Sequence, residues 1–103
     1  IKLIMWKNEN LDLGNLKEGE PVLVNFEYIT DGRFISASSS CGCSVPNWDN
    51  EKKVLEVTFT PGAVPKHLEE QGFYETEKEI TVVMIEDLLQ KNYTLKIQAK
   101  IHK

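Results

Sequence analysis

The sequence predicts an all-β domain, a seven-stranded β-sandwich with one short helical turn. Three observations carry this. Apolar and polar residues alternate with a period of two through much of the chain, the spacing that gives a strand one dry and one wet face. Gly, Pro, Asn and Asp recur between the alternating runs, as turns between short strands require. Only one stretch, 65–72, carries helix punctuation.

The elements follow in chain order. The strand-like run Ile1-Lys2-Leu3-Ile4-Met5-Trp6 predicts a strand at 2–6. A second, 10–13, stops at Leu13-Gly14-Asn15, and Glu18-Gly19-Glu20-Pro21 clears the way for a third at 21–30. There Val22, Val24, Phe26 and Tyr28 alternate with Leu23, Asn25, Glu27 and Ile29. Thr30-Asp31-Gly32-Arg33 reads as a hairpin turn into strand 33–39, because Asp-Gly supplies the positive φ of a tight turn. Trp48-Asp49-Asn50-Glu51 reads as the turn before strand 53–60, in which Leu55, Val57 and Phe59 share a face, and Pro61-Gly62 closes that strand. Pro65 near the start and Gly72 past the end predict a helix of one to two turns, held by packing through Leu68. Strand 77–86 is apolar on both faces from Ile80 to Ile85 apart from Thr81, so it belongs in the middle of a sheet. Strand 92–101 alternates most cleanly: Tyr93, Leu95, Ile97, Ala99 and Ile101 on one face, polar residues on the other. The expected core is Val22, Val24, Phe26, Leu55, Val57, Phe59, Ile80, Val82, Met84, Leu95, Ile97 and Ala99.

A chain of 103 residues is one domain, 1–103, large enough to bury a core without staples. A net charge of −4 argues against nucleic acid or an anionic membrane as partner, both of which attract basic patches. The longest uncharged stretches, 34–48 and 57–65, are broken by Ser, Thr, Gly or Pro, so no membrane span is expected. The first six residues are too short and strand-like for a secretory signal, while a start at Ile1 leaves an upstream leader open.

The two cysteines stand one residue apart in Ser40-Cys41-Gly42-Cys43-Ser44-Val45-Pro46. Extended residues i and i+2 have Cα atoms about 6.5–7 Å apart, the outer limit for a disulfide, although Gly42 permits a tighter turn. Cys41 and Cys43 are therefore expected first as small free thiols. A disulfide that closes almost no loop and is easily reduced, or a metal or partner link, remains the alternative.

That motif forms a pattern with Gly14, Gly19-Glu20-Pro21, Phe59-Thr60-Pro61-Gly62, Gly72-Phe73-Tyr74 and a closing Leu-x-Ile strand. The pattern resembles a family of bacterial immunoglobulin-like modules, common in gut Bacteroidetes and akin to PapD-like and major-sperm-protein-like sandwiches, whose hallmark is S-C-G-C-T/S-x-P. The resemblance spans nearly the whole chain and implies an immunoglobulin-like sandwich. It brings no catalytic residues with it. Family members are usually exported or lipid-anchored pieces. The 65–72 insert is longer than their simple Gly turn, and small versions with such an insert resemble proteins of tailed phages of gut bacteria, where immunoglobulin-like domains serve as accessory capsid coats.

Other chemistry has weak support. Cys41, Cys43, His67 and His102 have the composition of a zinc site but not its paired spacing. Ser38, Ser39 or Ser40 with His67 and Asp49 lack any nucleophile elbow, and serines before a turn are usually caps. Glu75, Glu77 and Glu79 alternate as the wet face of a strand. No enzyme activity and no cofactor are expected. Trp48 is expected to seal the open end of the sandwich or to mark a contact surface. Leu88 and Leu89 fall at a hairpin tip, 86–91, where two leucines suggest cover by a neighbour. The function expected is a structural or adhesion module that binds protein within a larger assembly. Its concrete form is a virion accessory protein on a phage capsid, with the major capsid protein or another assembly subunit as partner. The alternatives are an exported or periplasmic bacterial binding module, in the periplasm or at the cell surface, and a small thiol-redox or metal-handling protein using Cys41 and Cys43.

Overall fold

A computed structural model describes residues 5–103. Seven strands form two sheets: β1 (Asn10–Lys17), β2 (Val22–Glu27), β3 (Arg33–Ser39), β4 (Ser44–Asp49), β5 (Val54–Phe59), β6 (Phe73–Glu86) and β7 (Leu89–His102). One sheet has the order β1-β7-β6-β3 and the other β2-β5-β4. The central strands β5 of one sheet and β6 of the other follow the immunoglobulin arrangement. In that arrangement the second, fifth and fourth strands form one sheet and the third, sixth and seventh the other. The first strand lies on the larger sheet, parallel to β7. Just before it, Trp6 makes an antiparallel bridge to Tyr28 at the end of β2. The chain thus touches one sheet and then crosses to the other.

The core lies between the sheets, where the inward residues of the alternating runs meet. Phe26, Leu55, Val57, Ile80, Val82, Met84 and Leu95 are fully buried, with Val24, Phe59, Ile97 and Ala99 nearly so. Val22, expected with them, is only partly buried and packs on the cluster from the side. Trp6, Tyr28, Val64 and Ile101 are buried as well.

Several boundaries differ from expectation. The 2–6 strand lies largely outside the described residues. The missing strand is made up by β4, which carries Pro46 and lies between 39 and 53, where no strand was expected. Proline is tolerated there because β4 is an edge strand, so one of its sides needs no N–H. Thr30-Asp31-Gly32-Arg33 is not a hairpin: β2 and β3 belong to different sheets, and Gly32 does not have positive φ. The helix shrinks to a single 3-10 turn, Lys66–Leu68, with no buried residue. Val64, not Leu68, anchors the crossing, and its N–H donates to Glu18 Oε2 at 2.5 Å. Gly72 does cap the turn as expected, with φ 83° and its N–H donating to the Leu68 carbonyl at 2.9 Å.

The 14-residue strands β6 and β7 form one long hairpin, paired from Phe73↔His102 to Glu86↔Leu89. At about 3.3 Å per residue they outrun the six-residue strands of the opposite sheet. The crossing segment covers the excess: Tyr74 Oη donates to the Gly62 carbonyl at 2.8 Å, and Gly19 N–H to the Pro61 carbonyl at 2.8 Å.

Candidate functional site

The sequence-marked residues fall in two places. Cys41, Gly42 and Cys43 sit in the turn from β3 to β4, while Leu88 and Leu89 end the β6–β7 hairpin. The register puts these places at different heights: the residues before the cysteines bond at Glu79, mid-strand, whereas the leucines follow Glu86.

At the turn the free-thiol expectation fails. Cys41 and Cys43 are joined by a disulfide, their Cα atoms 5.3 Å apart. The turn closes the gap that an extended chain would leave, and it does so without a left-handed residue at 42. Each side is hydrogen-bonded into a sheet. Ser40 N–H donates to the Glu79 carbonyl at 2.9 Å, Ser40 Oγ accepts from Glu79 N–H at 3.1 Å, and Thr60 N–H donates to the Cys43 carbonyl at 2.8 Å. Cys43 N–H points at Cys41 Sγ at 3.1 Å, and Ser39 Oγ accepts from Cys41 N–H at 3.2 Å. Serines 39 and 40 are thus turn formers. Asp49 likewise accepts N–H bonds from Glu51 and Lys52, both at 3.1 Å, and shapes its own turn. His102 pairs with Asn15 Oδ1 at 2.7 Å, and His67 is exposed. Among the described residues, no group of three or more His, Cys, Asp or Glu side chains is placed to hold a metal. No described helix is long and apolar enough to cross a membrane.

The hairpin end is built differently. Glu86↔Leu89 is the last pair, so Asp87 and Leu88 alone make the turn. Both have positive φ, 51° and 65°, the geometry of a type I′ turn, which normally selects Asn-Gly. Leu88 is 95% exposed and Leu89 60%. An L-residue in this region costs roughly 1–2 kcal/mol, and a leucine side chain in water recovers none of it.

Beneath this tip lies a polar knot that the sequence reading passed over. Glu86 is 7% exposed and points inward in series with Ile80, Val82 and Met84. Its Oε2 accepts a hydrogen bond from Tyr28 Oη, and its Oε1 accepts one from Tyr93 Oη at 2.6 Å. Burial, reinforced by the Glu86 hydrogen bond, pushes the Tyr28 hydroxyl up to about 12. The same causes, in the same order, raise Tyr93. The signal was available: extending the β6 alternation one step past Met84 puts a carboxylic acid on the dry face.

Trp48 is taken up by packing. Its ring stacks on Phe34 at 5.1 Å and 9°, closing the gap between edge strands β3 and β4. It also meets Trp6 and Tyr28 edge-on at 6.3 and 6.1 Å. Contacts therefore run from Trp48 through Tyr28 and Glu86 to the leucine tip. On the outer face of the larger sheet, a shallow groove of about 610 Å³ includes Asp12, Glu75, Glu77 and Lys100. Glu77 is already occupied there by Lys96 at 3.5 Å and Gln98 at 3.2 Å.

Comparison of the chain with protein-family models, curated proteins and solved structures returns no match.

Proposed function

We propose that this domain is a non-enzymatic structural or adhesion module that docks into a larger protein assembly through the tip of its β6–β7 hairpin. The observation that carries the proposal is Leu88, an almost fully exposed leucine held at positive φ in a two-residue turn. Strain with no compensating contact inside the molecule is expected where a contact outside it provides the compensation. Leu89 enlarges the same apolar tip. Each leucine contributes about 1.5–3 kcal/mol when a partner buries it fully.

The assembly best supported is a tailed-phage capsid of gut bacteria, with the domain as an accessory coat on the major capsid protein or a neighbouring subunit. Support comes from the resemblance of Ser40-Cys41-Gly42-Cys43-Ser44-Val45-Pro46 to the immunoglobulin-like family, together with the insert at 65–72. An envelope binding module in the periplasm or at the cell surface is the second reading, since it rests on the same motif.

Mass spectrometry of purified virions and of fractionated host cells separates the two. We expect the chain in virions at a fixed ratio to the major capsid protein. Recovery only in the host periplasm or envelope would replace the capsid reading with the second. Changing Leu88→Ser with Leu89→Ser is expected to reduce incorporation and leave the melting midpoint of the isolated domain unchanged. A lowered midpoint with incorporation intact would remove the hairpin tip from the interface.

A further inference from the structure

We propose that the Cys41–Cys43 disulfide is a thiol-exchange site that takes two electrons from a dithiol substrate. The bond spans a sequence separation of two, so it ties together parts of the chain that are already tied. Both flanks of the turn are held without it, by the bonds between Ser40 and Glu79 and between Thr60 and Cys43. Breaking the disulfide therefore releases no strand.

Gly42 points the same way. Its φ is not in the left-handed region, and a Cβ built on it meets nothing within 4 Å. Neither the backbone nor the packing demands glycine here. Gly42 itself is exposed and adds no side chain over the bond between its half-buried neighbours.

The two sulfurs are not equivalent. Cys43 packs against the core cluster, whereas Cys41 stands outside that contact. Exchange needs the incoming, central and leaving sulfurs in line, so the attack is assigned to Cys41 Sγ, the sulfur whose residue is outside the core contact, from the side away from Cys43. A substrate thiolate forms a bond to Cys41 Sγ, the Cys41–Cys43 bond breaks, and the electron pair leaves on Cys43 Sγ, which takes a proton from water. The nearest side-chain hydroxyl to that leaving sulfur is Ser44 Oγ, at 3.9 Å in a buried residue. The substrate's second thiolate then attacks its own sulfur in the mixed disulfide and releases Cys41 as a thiolate that is protonated in turn. The dithiol leaves as a disulfide, and the protein holds two thiols: two electrons and two protons have moved.

The test uses the folded domain and reduced dithiothreitol in native buffer, with thiols counted by mass and the fold followed by far-UV circular dichroism. We expect one oxidised dithiothreitol per chain while the β spectrum stays unchanged. A short pulse of reduced glutathione, quenched in acid and mapped by peptide mass, is expected to place the mixed disulfide on Cys41. Single variants provide a second readout. Cys41 in Cys43→Ser should react with an aromatic disulfide reagent at least about tenfold faster than Cys43 in Cys41→Ser. Where a variant does not fold, the glutathione map on the unaltered chain decides. Reduction that proceeds only as the spectrum is lost, or an adduct on Cys43, overturns the proposal.

Discussion

A methyl group on Gly32 would lie 2.3 Å from Tyr28 Oη and 2.9 Å from Glu86 Cγ. The glycine that reads in sequence as a turn former is there so that a phenol and a carboxyl group can meet beneath it. Sequence reading failed at this residue because Asp-Gly is a strong local signal, and the competing cause lies 54 positions away at Glu86. Gly32→Ala is expected to push the knot apart and cost roughly 1–3 kcal/mol, the usual range for overpacking, as a lower urea midpoint with unchanged slope. The knot also sets an alkaline limit. Tyr28 holds its proton more tightly in the folded state, about 12 against an ordinary 10.0. Its contribution to stability is therefore whole below 10.0 and is lost as the pH rises through about 12. The thermal midpoint is expected to fall across that window, and less steeply in Tyr28→Phe. An equal fall in the variant would assign the alkaline loss to other groups.

The β6–β7 hairpin shows what alternation reveals about an element and what it leaves out. Both strands were legible from their apolar faces, but only as 77–86 and 92–101, which left a five-residue loop. The true loop is Asp87-Leu88, because pairing continues through Glu86↔Leu89 with no Asn-Gly to announce the turn. Strand β4 was not expected at all: its six residues lack a clean apolar alternation, and they include Pro46, which the edge position tolerates. The tip offers a trade between stability and binding. Asp87→Asn with Leu88→Gly supplies the pair a type I′ turn prefers, and should raise stability by about 1 kcal/mol by relieving the left-handed leucine. The same change removes the most exposed apolar side chain and should weaken incorporation into the assembly. A rise in the melting midpoint with incorporation undiminished would show that Leu88 is tolerated strain and nothing more.

At the scale of the whole molecule, the two sheets share one core, and that core was the most legible feature of the chain. Eleven of the twelve expected core residues are buried, because an inward position on a strand repeats every second residue whatever the turns between strands do. Periodicity could place Glu86 on the dry face but not name Tyr28 and Tyr93 as its partners, and it could not choose between thiols and a disulfide at Cys41 and Cys43, since each choice depends on distances between residues. Phe59 tests the shared core most directly. It is 1% exposed and pairs with Val22 on one side and Ser44 on the other, at the end of β5, the middle strand of the smaller sheet. Phe59→Ala is expected to cost about 3–5 kcal/mol, a large part of the roughly 5–15 kcal/mol available to a domain of this size. Trp6 and Trp48 report on the aromatic cluster between the sheets, while far-UV circular dichroism reports on every strand. With one core the two probes must lose signal at the same denaturant concentration, and in Phe59→Ala both must move down together. If the tryptophans moved and the β signal lagged behind, the long β6–β7 hairpin with β1 would be unfolding as a unit of its own. The contacts of the crossing segment at Pro61, Gly62 and Val64 would then be too weak to couple it to the smaller sheet.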